Sequence, residues 1–473
     1  MLRLIVEKEL LDNVLNFRFL AVCVVTLLLI LSSIIVLAEY YRAEAADYYS
    51  RVSIQDEFID TYGHMNRAGW MSRLSREPSR YSVLVTGLDR EASQENFVSN
   101  PVPALLSRLD LVSIVTLVMS LVAILFSHSL ISGEREDGML KLMLSTGASR
   151  GVILFGKYLG GVISLLVPFT LGMLAALAYL SFGSSVQLES ADLGVTALLL
   201  LVSYAYIAAF CALGLFFSTR SATSDVAVLK SLFAWVILVL VLPNISPFLA
   251  AQLYRIPSRA SIDQQTNHLL DVERDEIWRT RRRELVRTKY ADIAEVFSLS
   301  QDEIQKKVDS DPAFKSRLAE YSKDAQSLIE QVNREQQQKA DVIQEAFTVR
   351  SENQEALAKA LAYLSPLSNF VFASTDLTET GLAQDLYWGR QAGEYDRIFW
   401  AHVERKYEQE KQKNPAYDSN DYLNLRDRPR FKYQPPSVAA RVEMVLLPLG
   451  VLALFNALFL WGAFVGFLKY DVR

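Results

Sequence analysis

Hydrophobic and charged positions are sharply segregated along this chain. Six windows carry no Asp, Glu, Lys or Arg: residues 19–38, 111–133, 158–188, 193–219, 231–254 and 444–468. Each reaches the roughly 20 residues that a helix needs to cross a hydrocarbon core. The pattern predicts an all-α membrane protein with six transmembrane helices. The first window is longer than the apolar core of a signal peptide, and Glu-Tyr-Tyr-Arg follows it instead of a small-residue cleavage site. It reads as a retained helix.

The segments between the windows have patterns of their own. In residues 1–18, Val6, Leu10, Val14 and Phe17 recur at helical spacing opposite Glu7, Lys8, Asp12 and Asn16. This predicts an amphipathic elbow helix in the inner interface; the first turns of one long span are the other reading. Loop 39–110 opens Ala/Tyr-rich and carries Pro78, Pro101 and Pro103, which suits a small, partly helical outer lobe.

Segment 255–443 holds more than half of each charged class and reads as a large external helical domain. Ser300 with Glu303 forms a capping-box pattern, and Asp311-Pro312 is a helix start. Apolar residues then recur at Leu318, Tyr321, Ala325, Leu328 and Val332, and again at Ile343, Phe347, Leu357 and Leu361. These spacings make a coiled-coil-like seam for a partner helix. The polar run Asn-Arg-Glu-Gln-Gln-Gln-Lys between the halves predicts a bend or break in a helix over 312–363. Segment 360–375 is uncharged, yet too short to cross and broken by Pro366; outer interface and buried core both fit. Tyr387, Trp388, Tyr395, Phe399 and Trp400 decorate helix 383–412, as packing groups or as a ligand box.

Composition narrows the class. The chain has 473 residues, 51% hydrophobic and 21% charged; a single-domain soluble enzyme is excluded by the six windows. A net charge of −5 gives no support to nucleic-acid binding, and Cys23 and Cys211 both fall in windows, leaving no disulfide framework outside. With both termini on the cytoplasmic side, the short inner segments hold 11 Lys/Arg in 58 residues, against 8 in 72 for loop 39–110. The positive-inside bias favours that orientation.

Catalytic chemistry is hard to find. Gly-Val-Ile-Leu-Phe-Gly-Lys-Tyr (151–158) imitates a phosphate loop, but its four intervening residues are large and apolar and Tyr158 replaces the magnesium-binding hydroxyl. Gly156 and Gly160 read instead as a close helix-packing pair. The four histidines, His64, His128, His268 and His402, show no ligand spacing, so no metal site is expected. Windows without formally charged residues offer no internal proton relay of Asp and Glu, which points to transport driven from another chain. A place for that drive is the loop after the second window. There Glu134, Arg135, Glu136 and Asp137 precede Gly138, Leu140, Leu142, Met143 and Leu144 line a short helix, and Ser145-Thr146-Gly147 ends it. An ordinary charged loop is the other reading.

The string SGEREDGMLKLMLSTGASRGVILFGK resembles the first cytoplasmic loop of ABC-2-type exporter permeases, E-R-E-x-G-T-L-x-L-L-L-S-T-P before R and G-K. Met139 and Gly147 replace the usual threonine and proline. VLVTGLD (83–89) and FFSTRSATSDVAVLKSLFAWVILVLVLP (216–243) are similar to the copper-enzyme-maturation branch of that family. LSPLSNFVFASTDLTETG is similar to members with a long external insertion before the last span. The resemblance implies a non-catalytic, multi-pass permease of the bacterial inner membrane, with both termini cytoplasmic and an elbow helix over residues 2–16. ATPase coupling would fall to Glu134, Arg135, Glu136, Asp137, Gly138, Leu140, Leu142 and Leu144. No cofactor would be bound by this chain; ATP and Mg would sit on two copies of a partner ABC ATPase. A second permease, identical or paralogous, and membrane lipid complete the expected partners. Exporters of this kind move lipids, glycans, peptides or drugs. The alternative is an ATPase-driven scaffold whose external domain acts mechanically on an envelope protein. Arg279, Arg281, Arg282 and Arg283 are the candidate patch for such a partner.

Overall fold

The computed structural model describes residues 1–66, 74–87, 109–145, 147–183, 186 and 190–469. Among them, six helices are long and apolar enough to cross a membrane: span 1 (Phe19–Tyr62), span 2 (Leu111–Glu136), span 3 (Arg150–Phe182), span 4 (Asp192–Arg220), span 5 (Ser224–Leu253) and span 6 (Val438–Leu468). Outside the spans lie α1 (Leu2–Val14), α2 (Met139–Ser145), α3 (Arg259–Asn267), α4 (Arg274–Lys289), α5 (Gln301–Ser310), α6 (Pro312–Ala362), α7 (Pro366–Leu377) and α8 (Leu382–Lys413). No strand occurs among the described residues. The all-α membrane class expected from the windows is what the chain adopts. Two compact units result, residues 1–243 with 362–473, and residues 244–361.

In the first unit, span 4 is central and lies against spans 2, 3 and 6. Tyr206, Phe210 and Cys211 on it are fully buried. A side chain at Gly214 would collide with the Ser127 hydroxyl, so glycine there lets spans 2 and 4 approach closely. Spans 2 and 5 each contain a π-helical turn, Ile114–Met119 and Val236–Val241. A widened turn disturbs the usual carbonyl pairing, and apolar surroundings demand a replacement donor. Tyr206 donates from its hydroxyl to the Thr116 carbonyl at 3.2 Å, and Ser365 donates to the Leu238 carbonyl at 2.6 Å. The Trp235 indole donates to Ser120 at 2.8 Å, joining the two spans beside their π turns.

Short α7 settles the two readings of 360–375. Ser365 caps its start and Pro366 occupies its first turn. Phe370, Ala373 and Leu377 are buried between spans 4 and 6, with the Phe370 ring 4.9 Å from that of Tyr206. The segment is core.

Span 1 belongs to one unbroken helix, Phe17–Tyr62. No glycine or proline interrupts it, so the Ala/Tyr-rich stretch continues the helix instead of opening a loop. Its far end builds a second core, Ile59 with Phe399, Val403, Leu423 and Leu425. Arg428 is buried there between the carboxylates of Asp56 and Asp60. The aromatic residues Tyr395 and Trp400 of α8 pack against this core. Residues 67–73 and 88–108 of the expected outer lobe lie outside the described residues.

The second unit is an antiparallel helical hairpin. α3, the π turn His268–Glu273 and α4 run back along α6, with Arg259 beside Phe347, Arg281 beside Glu335 and Lys289 beside Asp324. Tyr290, Ile293, Val296 and Tyr321 close one end. The capping box at Ser300 forms, and the Asp311 carboxylate accepts from the amides of Ala313 and Phe314 at 2.9 and 3.2 Å. α6 does not break at the polar run; it is one helix of 51 residues. Gln, Glu, Lys and Arg are good helix formers, and Gln336 turns into the seam between buried Val332 and Ala340. The seam therefore continues through the run that was expected to interrupt it.

Candidate functional site

The loop between spans 2 and 3 is built around two left-handed residues. Gly138 has φ +74° and Gly147 φ +78°, conformations that a side chain would strain. They frame α2 as a separate seven-residue helix. Leu140 is fully buried, and Met143, Leu144 and Ala148 lean on the main core. Met139 and Leu142 face outward, 44% and 62% exposed, one helical turn apart. Lys141, Arg135 and Asp137 are exposed around them. α2 thus presents an apolar knob to solvent while its opposite face is anchored.

Residues flanking α2 tie it to most of the bundle. Glu134 Oε1 lies 2.6 Å from Lys157 Nζ on span 3 and 3.2 Å from Lys8 Nζ on α1. Lys157 Nζ is also 2.6 Å from Glu9 Oε1, and its side chain is only 1% exposed. Glu136 accepts from the backbone amide and hydroxyl of Ser224 at 2.8 and 3.0 Å, placing a carboxylate at the positive N-terminal end of span 5. Ser218 of span 4 accepts from the amides of Ile131 and Ser132, each at 3.0 Å. Arg150 donates to the Phe467 and Leu468 carbonyls at 2.8 and 2.7 Å, where span 6 ends and its orphan acceptors need a cation. The residues flanking α2 thus bond to α1 and to spans 3, 4, 5 and 6.

α1 lies along span 3 in a matched register. A Cβ on Gly156 would meet Ile5 at 2.8 Å, and one on Gly160 would meet the Glu9 Cβ at 2.5 Å. Ser164 accepts from Asn13 at 3.0 Å. Both helices step by four, in the same direction. The helix that approaches Gly156 and Gly160 is α1. Burial alone would lower the Lys8 pKa, but the charge and hydrogen bond of Glu134, with Glu9 and Asp12, outweigh it and raise the value. Leu4, Leu11 and Val14 on α1 and the adjoining Leu15 remain exposed, an apolar surface suited to lipid.

The structure sorts the expected site residues. Glu134 and Glu136 make contacts within the chain, Gly138 takes a left-handed turn before α2, Leu140 and Leu144 pack inward, and Leu142 projects. Of the arginine patch, Arg281 pairs with Glu335 and Arg282 donates to the Tyr321 hydroxyl at 2.7 Å; Arg279 and Arg283 are exposed. Sequence reasoning did not find the roles of Glu9, Lys157, Arg150 and Ser224. The available signal was the parallel spacing of Ile5, Glu9 and Asn13 with Gly156, Gly160 and Ser164.

A family model described as ABC-2 family transporter protein matches residues 3–472. A probable ABC transporter permease protein NosY of Pseudomonas aeruginosa is 33% identical over 150 residues, covering 32% of this chain and 53% of that protein. The protein of the same description from Stutzerimonas stutzeri is 34% identical over 124 residues, covering 26% and 44%. The chain spans about half the length of the curated relatives it matches.

Proposed function

Because the chain belongs to the ABC-2 family of transporter proteins, we propose that it is the membrane subunit of an ATP-driven exporter, energised by ATPase subunits on another polypeptide. The observation that carries this reading is α2, a helix anchored by Leu140 with Met139 and Leu142 projecting outward. Two apolar side chains on a rigid mount suit a hydrophobic cleft of a soluble motor, and the contacts of Glu134, Glu136 and Arg150 pass the motor's push to the spans. Lys157, the lysine of the phosphate-loop lookalike, is committed to Glu9 and Glu134, which favours ATP and magnesium being held by the partner. In this reading α2 and both termini face the cytoplasm in the inner membrane. Two permease chains, identical or paralogous, sit on two ATPases. The large apolar surfaces of spans 1, 5 and 6 left exposed in this chain are available to lipid and to that second permease.

The test is purification of the tagged full chain from its native membrane. The complex should contain an ATPase and hydrolyse ATP, and the chain stripped of it should not. Leu142→Asp should release the ATPase while leaving the permease in the membrane. Hydrolysis by the isolated chain, or full retention of the ATPase by L142D, contradicts the proposal.

A further inference from the structure

We infer that Lys8, Glu9, Glu134 and Lys157 form a two-position ionic latch, with Lys157 as the positioning residue that carries movement of α2 into α1. The inference rests on the reading that α2 receives the push of an ATPase. Its starting point is an asymmetry at Glu134. Both cations crowd on Oε1, Lys157 at 2.6 Å and Lys8 at 3.2 Å, while Oε2 is buried without a hydrogen-bond partner. A buried carboxylate oxygen without a donor is costly, so it is a ready acceptor for a second arrangement. A small rotation of the Glu134 carboxylate, or a shift of α1, moves one lysine from Oε1 to Oε2.

Three further features suit an exchange. The quartet is balanced, two cations against two anions, so a rearrangement never leaves a lone charge in the dry. Its members come from different elements: Glu134 from the end of span 2, just before the left-handed turn at Gly138, Lys157 from span 3, and Lys8 and Glu9 from α1. α1 and span 3 are in close contact at this point, because Gly156 and Gly160 present no side chain where Ile5 and Glu9 sit; a shift of α1 is therefore felt directly at span 3. Stability alone does not require the charges, since well-packed apolar residues generally replace a buried ionic cluster at little or no loss.

The experiment uses the complex of the full permease with its ATPase in lipid nanodiscs. In a chain lacking Cys23 and Cys211, spin labels at exposed Leu11→Cys on α1 and Lys141→Cys on α2 report their separation with and without ATP. Wild type should show a nucleotide-dependent change in distance. The apolar variant E9L/E134L/K157M should assemble with the ATPase but lose that change, with ATP hydrolysis falling about tenfold, within the usual range of coupling between sites. The fully inverted quartet K8E/E9K/E134K/K157E should recover the response that K157E alone abolishes. An assembled apolar variant that keeps both the wild-type rate and the distance change overturns the latch and leaves the proposed function standing. Failure of that variant to assemble makes the quartet structural and also overturns the latch. A wild-type permease that brings down no ATPase removes both ideas.

Discussion

The hairpin of residues 244–361 and the α2 end of the bundle both use ion pairs between helices, yet in opposite settings. In the hairpin, Arg281–Glu335 and Lys289–Asp324 sit with a third to a half of each side chain in water. Beneath α2, Lys157 and Glu9 are 1% and 8% exposed. Exposed pairs contribute little and are screened, so the hairpin is held by its apolar seam and its charges trim the register. Buried charges bind strongly only as a complete set, so the α2 end depends on each member. The same residue types make one region tolerant and the other exacting.

Removing one cation from each region should break the comparison most visibly. Lys157→Met leaves Glu9 and Glu134 buried with only Lys8 to compensate, and should cost about 3–5 kcal/mol. Arg281→Met should barely move thermal unfolding of the same chain. Fluorescence-detected melting of both variants in detergent checks the difference; equal losses would mean that burial does not separate the two regions.

A smaller effect should follow from filling the groove under α1. Gly160→Val forces a side chain against the Glu9 Cβ and should cost about 1–3 kcal/mol, as overpacking does. Gly450→Ala, on span 6, meets nothing within 4 Å and should be neutral. Expression and melting of the pair read the result.

The smallest effect expected is the hairpin's response to acid. Hydrogen bonds and charge from Lys289 hold the Asp324 pKa below its ordinary value, and Arg281 and Arg317 do the same for Glu335 and Asp292. Depressed carboxylate pKa values stabilise the fold above the unfolded values and lose that contribution as pH falls through the folded ones. Stability of the hairpin should therefore be flat from pH 8 to 5 and decline modestly below about pH 4. A dye on Ser310→Cys in a chain lacking Cys23 and Cys211 can follow local unfolding across that range.

Much of this fold was legible in the sequence. The charge-free windows overlap all six candidate spans, because an unpaired charge in hydrocarbon is costly. The cap at Ser300 and the start at Asp311-Pro312 were also readable, being local hydrogen bonds among near neighbours. What failed was tertiary. Gln336 looked like an interruption, but helix propensity carries through it and the seam absorbs it. Segment 360–375 could be assigned to interface or core only once Phe370 was seen against Tyr206. At the candidate site, the short helix and Gly138 were visible as a motif. The division of labour between Leu140 and Leu142 was not, since it depends on which face the bundle covers. Nor could spacing reveal that Glu134 answers to Lys157 and Lys8, partners far away in sequence. The π turns left no recognisable trace in their apolar sequences.

The central claim is that α2 is the contact through which a separate ATPase drives this membrane chain. A photo-cross-linking residue at Leu142 in the full chain, irradiated in native membranes, tests it most directly, with the same residue at exposed Leu458 of span 6 as control. The account predicts an adduct between position 142 and an ATP-hydrolysing subunit, and none from position 458. Adducts only with lipid or with other membrane chains from position 142 would contradict it.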